Sequence, residues 1–581
     1  MSNFYVDGQI IGPTFQQGFD LASILASIGT RQDDSIVKVQ ITEPGVYYIK
    51  SALHLKCNIV IEGCEGVFIA VKYSSDNDYN GSTFVHFDYI TKTEQGVTTY
   101  IRPNVVIKNL EFCIDEGHHW HTERNRFNYL KFYWAESIHI DNVKMKLEGQ
   151  HILTNVDMRE CEKVIVENCL LENYHNNTEQ LHEGGILWFR GMTRNVKISN
   201  NIIKKSGNDE ALAFFGHFSD CHNQTNPEDN YYIIPESEEP SDGICKKENI
   251  IVENNVFEYE KHYSNLNSND CLISIIDHDN ILDPEHTQQG STLFHIENIV
   301  FENNSFVIND LCKRFIDCTF EDQTFLRDVI FKNNSFYIGD FSVIDSMITV
   351  FELSNKYPSI DTEFDIIGNF LYNNAYVRIF NNEPGLYFLT QNGGDVRVSN
   401  NITRVCDTLD DKKYRQIRFF WNHSLSNNLA ITDNDLEGIY LLGSISGSHS
   451  TGLFAINSVD LLVTNNIIQG SPSIYCLNVG QLNATFEGNT IITSNYIIAF
   501  QNYGTSGKVT YVNNIFKSID PNILPIFYAS WETDALQALY KIDKLCFANN
   551  VLEGTSTHPL NYLQQHMTNC AITNVNNIYF N

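Results

Sequence analysis

The chain has 581 residues, of which 42% are hydrophobic and 19% charged; this is enough apolar matter for a packed interior and too little charge for a disordered or coiled-coil chain. A formal net charge of −32 repels phosphate backbones and excludes nucleic acid as a partner, while keeping the chain soluble. No apolar run reaches the roughly 18 residues of a membrane-spanning helix, so no membrane insertion is expected.

The start, Met1 to Ile10, lacks the basic and long apolar stretches of a signal peptide, which fits synthesis in a cytoplasm. Asp20 is placed to cap a short helix carrying Leu21, Ile24, Leu25 and Ile28 on one face. Strand-like runs follow at Ile36-Val37-Lys38-Val39, Val46-Tyr47-Tyr48-Ile49 and Ile59-Val60-Ile61. Residues 1–60 are thus expected to form an N-terminal segment with a capping helix, closing the apolar end of a repeat domain over 61–581.

The repeat is written in asparagines. Asn104-Val105-Val106-Ile107-Lys108-Asn109-Leu110 is echoed by Ser137-Ile138-His139-Ile140-Asp141-Asn142-Val143, by Lys163-Val164-Ile165-Val166-Glu167-Asn168-Cys169 and by Asn195-Val196-Lys197-Ile198-Ser199-Asn200-Asn201. Further pairs stand at Asn254-Asn255, Asn303-Asn304, Asn333-Asn334, Asn400-Asn401, Asn465-Asn466, Asn513-Asn514 and Asn549-Asn550. Most intervals are about 24–36 residues, with two near 50, the period of a solenoid or array. Each unit alternates as a strand does and lacks helical spacing, which excludes helical repeats. An all-β, single-stranded right-handed parallel β-helix remains. Asn tolerates the left-handed backbone needed to turn one strand into the next, and stacked Asn side chains can form a ladder between coils. Insertions are expected near 113–127, 218–248 and 530–544, the last with a helical turn through Ala535 and Leu539. The 14 cysteines lie mostly inside apolar runs, as in Leu545-Cys546-Phe547, without zinc spacing, and read as reduced core residues.

Aligning the coils by their strands stacks a column of carboxylates ahead of Ile186–Gly191 and Ala211–Gly216. It contains Glu148, His182, Glu183, Asp209, Glu210 and Asp270. Carboxylates one or two coils apart span about 5–10 Å, the range used in glycoside hydrolysis, and crowding raises one pKa to make a proton donor. Asp209, Glu210 and Glu183 are the expected catalytic carboxylates, with His182 or His217 assisting. The same column would suit Ca2+ through hard oxygen ligands, or serve only as solvated corner residues; no cofactor is required. Trp188 and Arg190 are expected sugar contacts, together with Trp120, His119 and His121 of the His-rich loop. No His pair at helical spacing with a Glu appears there, so no transition-metal site is expected.

The helix-then-strand start, Asp20 to Gly63, followed by "V-x-I-x-N-N" coils, resembles the pectate-lyase-type β-helix superfamily, and within it bacteriophage tailspike and tail-associated β-helix proteins. The resemblance implies a homotrimeric virion tail protein, made in the host cytoplasm. It would act beside other tail proteins and bind a bacterial surface or capsular polysaccharide, and, if it is one of the superfamily's enzymes, depolymerise it by carboxylate acid/base chemistry. The same superfamily includes non-enzymatic tail adhesion proteins and bacterial polysaccharide lyases, the two alternatives for this chain.

Overall fold

The computed structural model describes residues 35–49, 53–71, 83–114, 127–149, 153–175, 185–206, 210–215, 244–260, 271–276, 293–320, 324–343, 347–355, 363–377, 385–392, 395–406, 417–424, 428–440, 443–446, 459–471, 474–477, 481–493, 498–503, 506–518, 527–529, 541–553 and 570–580. Every regular element among them is a β-strand. They fall into two units, Met1–Cys312 with Glu321–Thr324, and Lys313–Phe320 with Phe325–Asn581. Each unit is a right-handed parallel β-helix. Among the described residues no helix is long and apolar enough to cross a membrane.

In unit 1 each coil contributes one strand to each of three parallel columns. The first column runs through Ile36–Gln40, Asn58–Glu62, Asn104–Lys108, Ser137–Asp141 and Lys163–Glu167. The second runs through Gly45–Ile49, Val67–Val71, Glu111–Ile114, Lys144–Gly149, Leu170–His175 and Ile202–Ser206. The third runs through Leu53–Leu55, Thr83–Phe87, Phe127–Tyr133, Leu153–Cys161, the first half of Leu187–Ser199, Leu212–Phe215 and Cys271–Ile276. The coil stack therefore takes in Ile36–Gln40, upstream of the boundary expected at residue 61, because that strand already pairs with Asn58–Glu62. The capping helix expected from Asp20 lies outside the described residues, as does the turn through Ala535 and Leu539. Strands Ile244–Glu253 and Lys541–Ala548 occupy the last residues of two expected insertions. An antiparallel hairpin, Ile90–Glu94 with Val97–Ile101, departs from the parallel rule. Its two-residue turn, Gln95 at φ 50° and Gly96 at φ 82°, suits the twist of paired strands.

The asparagines make the turn between the first and second columns, and two residues divide the work. The first residue adopts the left-handed conformation: Asn109, Asn142, Asn168, Asn200, Asn254 and Asn303 in unit 1 have φ between 52° and 57°. The second residue is buried. In the early coils it is apolar, Leu110, Val143 and Cys169; from Asn201 onward it is Asn. Asn201 Oδ1 accepts the backbone N–H of Cys169 at 2.9 Å, and Asn255 Oδ1 accepts both the backbone N–H and Nδ2 of Asn201 at 2.9 Å. Asn201 Nδ2 also donates to Val166 O at 2.9 Å. Unit 2 carries its own ladder through Asn334, Asn369, Asn401, Asn434, Asn466, Asn489, Asn514, Asn550 and Asn577. Satisfying each buried amide in this way removes the penalty of an unpaired polar group at every turn.

Inside the coils, alternation puts every second strand residue into the core, as in the pattern of Ser137–Asp141. Identical positions stack at the strand spacing. Phe87 lies on Phe132 with centroids 4.7 Å apart, and Phe189 on Phe214 at 4.8 Å, in unit 1; Tyr511 lies between Phe486 at 4.7 Å and Phe547 at 5.0 Å in unit 2. Cys57, Cys161, Cys169, Cys271, Cys312 and Cys318 are buried, and burial, the largest influence, pushes Cys161 and Cys169 up to about 12.

Candidate functional site

Because Leu55, Phe87, Phe132, Met158, Phe189 and Phe214 point into the core of unit 1, the residue before each points out. The register lines those up as His54, His86, Lys131, Asp157, Trp188 and Ala213. Two residues further along, Asp88, Tyr133, Arg159 and Arg190 share that face. Asp157 stands at the middle, 2% exposed. Around it lie Arg159 Nε at 3.3 Å, Arg190 Nε at 3.4 Å and Lys131 Nζ at 3.8 Å. Burial alone would raise its pKa; the Arg159, Arg190 and Lys131 charges outweigh burial and hold the carboxyl down at about 2. The Tyr133 ring lies beneath Lys131 and Arg159, at 5.0 and 5.3 Å. His86 stacks on His54 at 4.4 Å. Burial first, then the Lys131 and His54 charges, push its imidazole down to about 2, so it is neutral.

Three of the expected site residues fall among the described residues. Trp188 is buried, packs on Ala213 and carries the Arg190 guanidinium 4.7 Å from its ring centroid. The close approach requires Gly185, where a Cβ would stand 1.7 Å from Trp188 Nε1. Trp188 and Arg190 thus meet on the face that holds Asp157. Glu210 is buried just ahead of strand Leu212–Phe215, with Cys271 Sγ donating to its Oε1 at 3.8 Å. His182, Glu183, Asp209, His217, Asp270, His119, Trp120 and His121 lie outside the described residues. Glu148 is not in the column expected for it. It belongs to strand Lys144–Gly149, in register with Tyr174, in the second column. The reason is register: in that coil the position matching Glu210 is Thr154, at the start of the third-column strand Leu153–Cys161.

Unit 2 brings together a pair that the sequence reading did not single out. Asp317, in strand Arg314–Phe320, is the register partner of Glu352, in strand Met347–Asn355, so their backbones are about 4.8 Å apart. Arg314 bridges them. Its Nη1 donates to Asp317 Oδ2, and its Nε lies 3.0 Å from Glu352 Oε2. The Asp317 side chain is fully buried and that of Glu352 is 28% exposed. Burial, the larger influence, and the Asp317 charge raise Glu352 to about 7 against the pull of Arg314. The arrangement is a carboxylic acid that keeps its proton near neutrality, with one face toward solvent. The signal available in the sequence was the Arg-x-x-Asp of Arg314–Asp317; its partner Glu352 is 35 residues on and bears no mark of its own.

No family model matches this sequence, and no curated protein matches it. Among solved structures, the chain is similar to the DFA-IIIase from Arthrobacter chlorophenolicus A6, at 10% identity and a TM-score of 0.40, covering 73% of this chain and 93% of that one. It is also similar to tailspike protein 3 of bacteriophage CBA120, at 10% identity and a TM-score of 0.29, covering 94% of this chain and 61% of that one.

Proposed function

We propose that the protein binds a bacterial surface or capsular polysaccharide and hydrolyses it, with Glu352 as the proton donor, and that it does so as a tail-associated component of a virion. The observation that carries the reading is the Asp317–Arg314–Glu352 cluster. A glycosidic oxygen needs a proton as its bond breaks, and an acid titrating near 7 can give one at neutral pH. Glu352 is the member open to solvent and so the one that meets the sugar. Asp317, enclosed, is a positioning residue that acts through Glu352 and Arg314. Having given its proton, the Glu352 carboxylate takes one from the water that completes hydrolysis. The competing acid/base set belongs to unit 1: Glu183, Asp209 and Glu210, with His182 and His217, and there Trp188 and Arg190 would be the glycan contacts. The virion setting and a homotrimeric state are supported by the likeness of the Asn-punctuated coils to tail β-helices.

The test is a panel of purified capsular and surface polysaccharides, read for new reducing ends, chain length and ultraviolet-absorbing unsaturated sugars. Glu352→Gln should lower turnover about 10²- to 10⁴-fold while leaving binding intact. Full activity in Glu352→Gln with loss in Asp209→Asn or Glu210→Gln would move catalysis to the unit 1 column. Unsaturated products would identify a lyase. Binding without any cleavage would identify a tail adhesion protein.

A further inference from the structure

Strands Leu53–Leu55 and Thr83–Phe87 of unit 1 gather three ligand-type side chains that the carboxylate chemistry does not use. His54 and His86 are register partners in neighbouring coils, and Asp88, two residues beyond His86, shares their outward face. One ligand atom from each lies within 4.8 Å of the other two. His54 Nδ1 and Asp88 Oδ2 are 3.3 Å apart, close to the roughly 3.4 Å that separates two ligands of a tetrahedral ion bound at about 2.0–2.1 Å.

A second observation is independent of that spacing. His86 is 7% exposed, and its buried Nδ1 has no hydrogen-bond partner among the described residues. A buried imidazole nitrogen left without a partner is unfavourable, and a bound cation would satisfy it. Asp88 is buried beside it, whereas 44% of the His54 side chain is exposed, so His54 is the solvent-facing member of the three.

We propose that His54, His86 and Asp88 form a binding site for a divalent transition-metal ion of the Zn2+ type. Two imidazoles and one carboxylate suit borderline N/O-seeking ions and not Ca2+ or Mg2+, which take oxygen ligands throughout. With three protein ligands the ion keeps at least one position for water. The two imidazoles now stack, 19° from parallel, so one ring must turn to aim its nitrogen at a shared ion; His54, on the exposed side, has the room. Lys131 and Arg159, further along this face, oppose a cation, and the Asp88 carboxylate offsets them locally. A second grouping, His139, Asp141 and Glu167, meets the same spacing. There His139 Nε2 already contacts Glu167 Oε1 at 2.8 Å, and Asp141 Oδ1 accepts Asn168 Nδ2 at 3.0 Å, so it serves as the control.

The test uses the full chain, stripped with a chelator and titrated with Zn2+ by calorimetry, then with Co2+ while visible absorption is recorded. One ion per chain should bind at micromolar or lower Kd, with Co2+ bands indicating nitrogen and oxygen ligands. His54→Ala and Asp88→Asn should each weaken binding at least tenfold, and His139→Ala should not. His54→Ala removes a partly exposed side chain, and its circular dichroism should match the parent. Absence of saturable binding, or undiminished binding in His54→Ala and Asp88→Asn, would overturn the assignment.

Discussion

Asp157 and Glu352 are both carboxylates on outward rows of a coil, yet their protons are held with opposite strength. Asp157 has two guanidiniums and an ammonium within 4 Å, and these outweigh its burial. Glu352 shares one guanidinium with a second carboxylate, and burial wins. The pH consequences are opposite. Asp157 titrates near 2 when folded and near 4 when unfolded. Its stabilisation, about 2 kcal/mol, is therefore complete above about pH 4 and lost as pH falls through 2. The Tm gap between the parent and Asp157→Asn should shrink over that window. Glu352 titrates near 7 when folded, above its unfolded value. The stabilisation its proton provides is present below the unfolded value and lost as pH rises through 7. Glu352→Gln should consequently gain stability relative to the parent above pH 7. Turnover of the parent should fall over the same range as the donor loses its proton, a limb that a pH–rate profile would display.

At the scale of the element, the unit of construction is the two-residue corner. Its first position needs a left-handed backbone, and the chain uses Asn, Asp433, Gly368 and Gly488 there, each at φ between 54° and 66° in unit 2. Its second position needs either an apolar residue among apolar neighbours or an amide among amides. Replacing one rung mixes the two. Asn434→Leu removes the Oδ1 that accepts both the backbone N–H and Nδ2 of Asn401, and the Nδ2 that donates to Val398 O and Asn466 Oδ1, and should destabilise unit 2 by about 2–4 kcal/mol, read as a lower denaturant midpoint at constant m. Gly191 is a different corner: it sits at φ 68°, and an added Cβ would stand 1.7 Å from Glu160 Oε1. Gly191→Ala should cost more than 1 kcal/mol on backbone grounds alone and disturb the Glu160 bond to Met192 N–H.

At the scale of the whole molecule, stability within each unit is a sum of coils and their nearest-neighbour contacts. The ladder step from Asn466 to Asn489 spans 23 residues, whereas that from Asn514 to Asn550 spans 36, so coil length varies while the corner does not. Deleting residues 466–488 as one complete coil should leave a folded, strand-rich chain with a modestly lower Tm. Deleting half of that segment should abolish cooperative unfolding, because the corner then meets a strand in place of a corner. Circular dichroism melts of the two deletions separate the outcomes.

The parallel β-helix was legible from residues alone, because the demands of its corner are local. A left-handed turn accepts few side chains, and a buried amide must be repeated at each coil to be satisfied, so both write themselves into the sequence at a readable period. The placement of Trp188, Arg190 and Glu210 ahead of or within the third-column strands was legible on the same grounds. What only the tertiary structure decided is which side chains face one another across coils. Asp157 meets cations from the coils on either side, Asp317 meets Glu352 35 residues away, and His54 meets His86 across 32 residues. Glu148 stands in the second column, in register with Tyr174, and not in the column predicted for it. Register between coils depends on how many residues each corner spends, and a miscount of a few residues moves a side chain to another sheet. The chemistry of this protein is therefore set by inter-coil register, a long-range quantity that no single repeat contains.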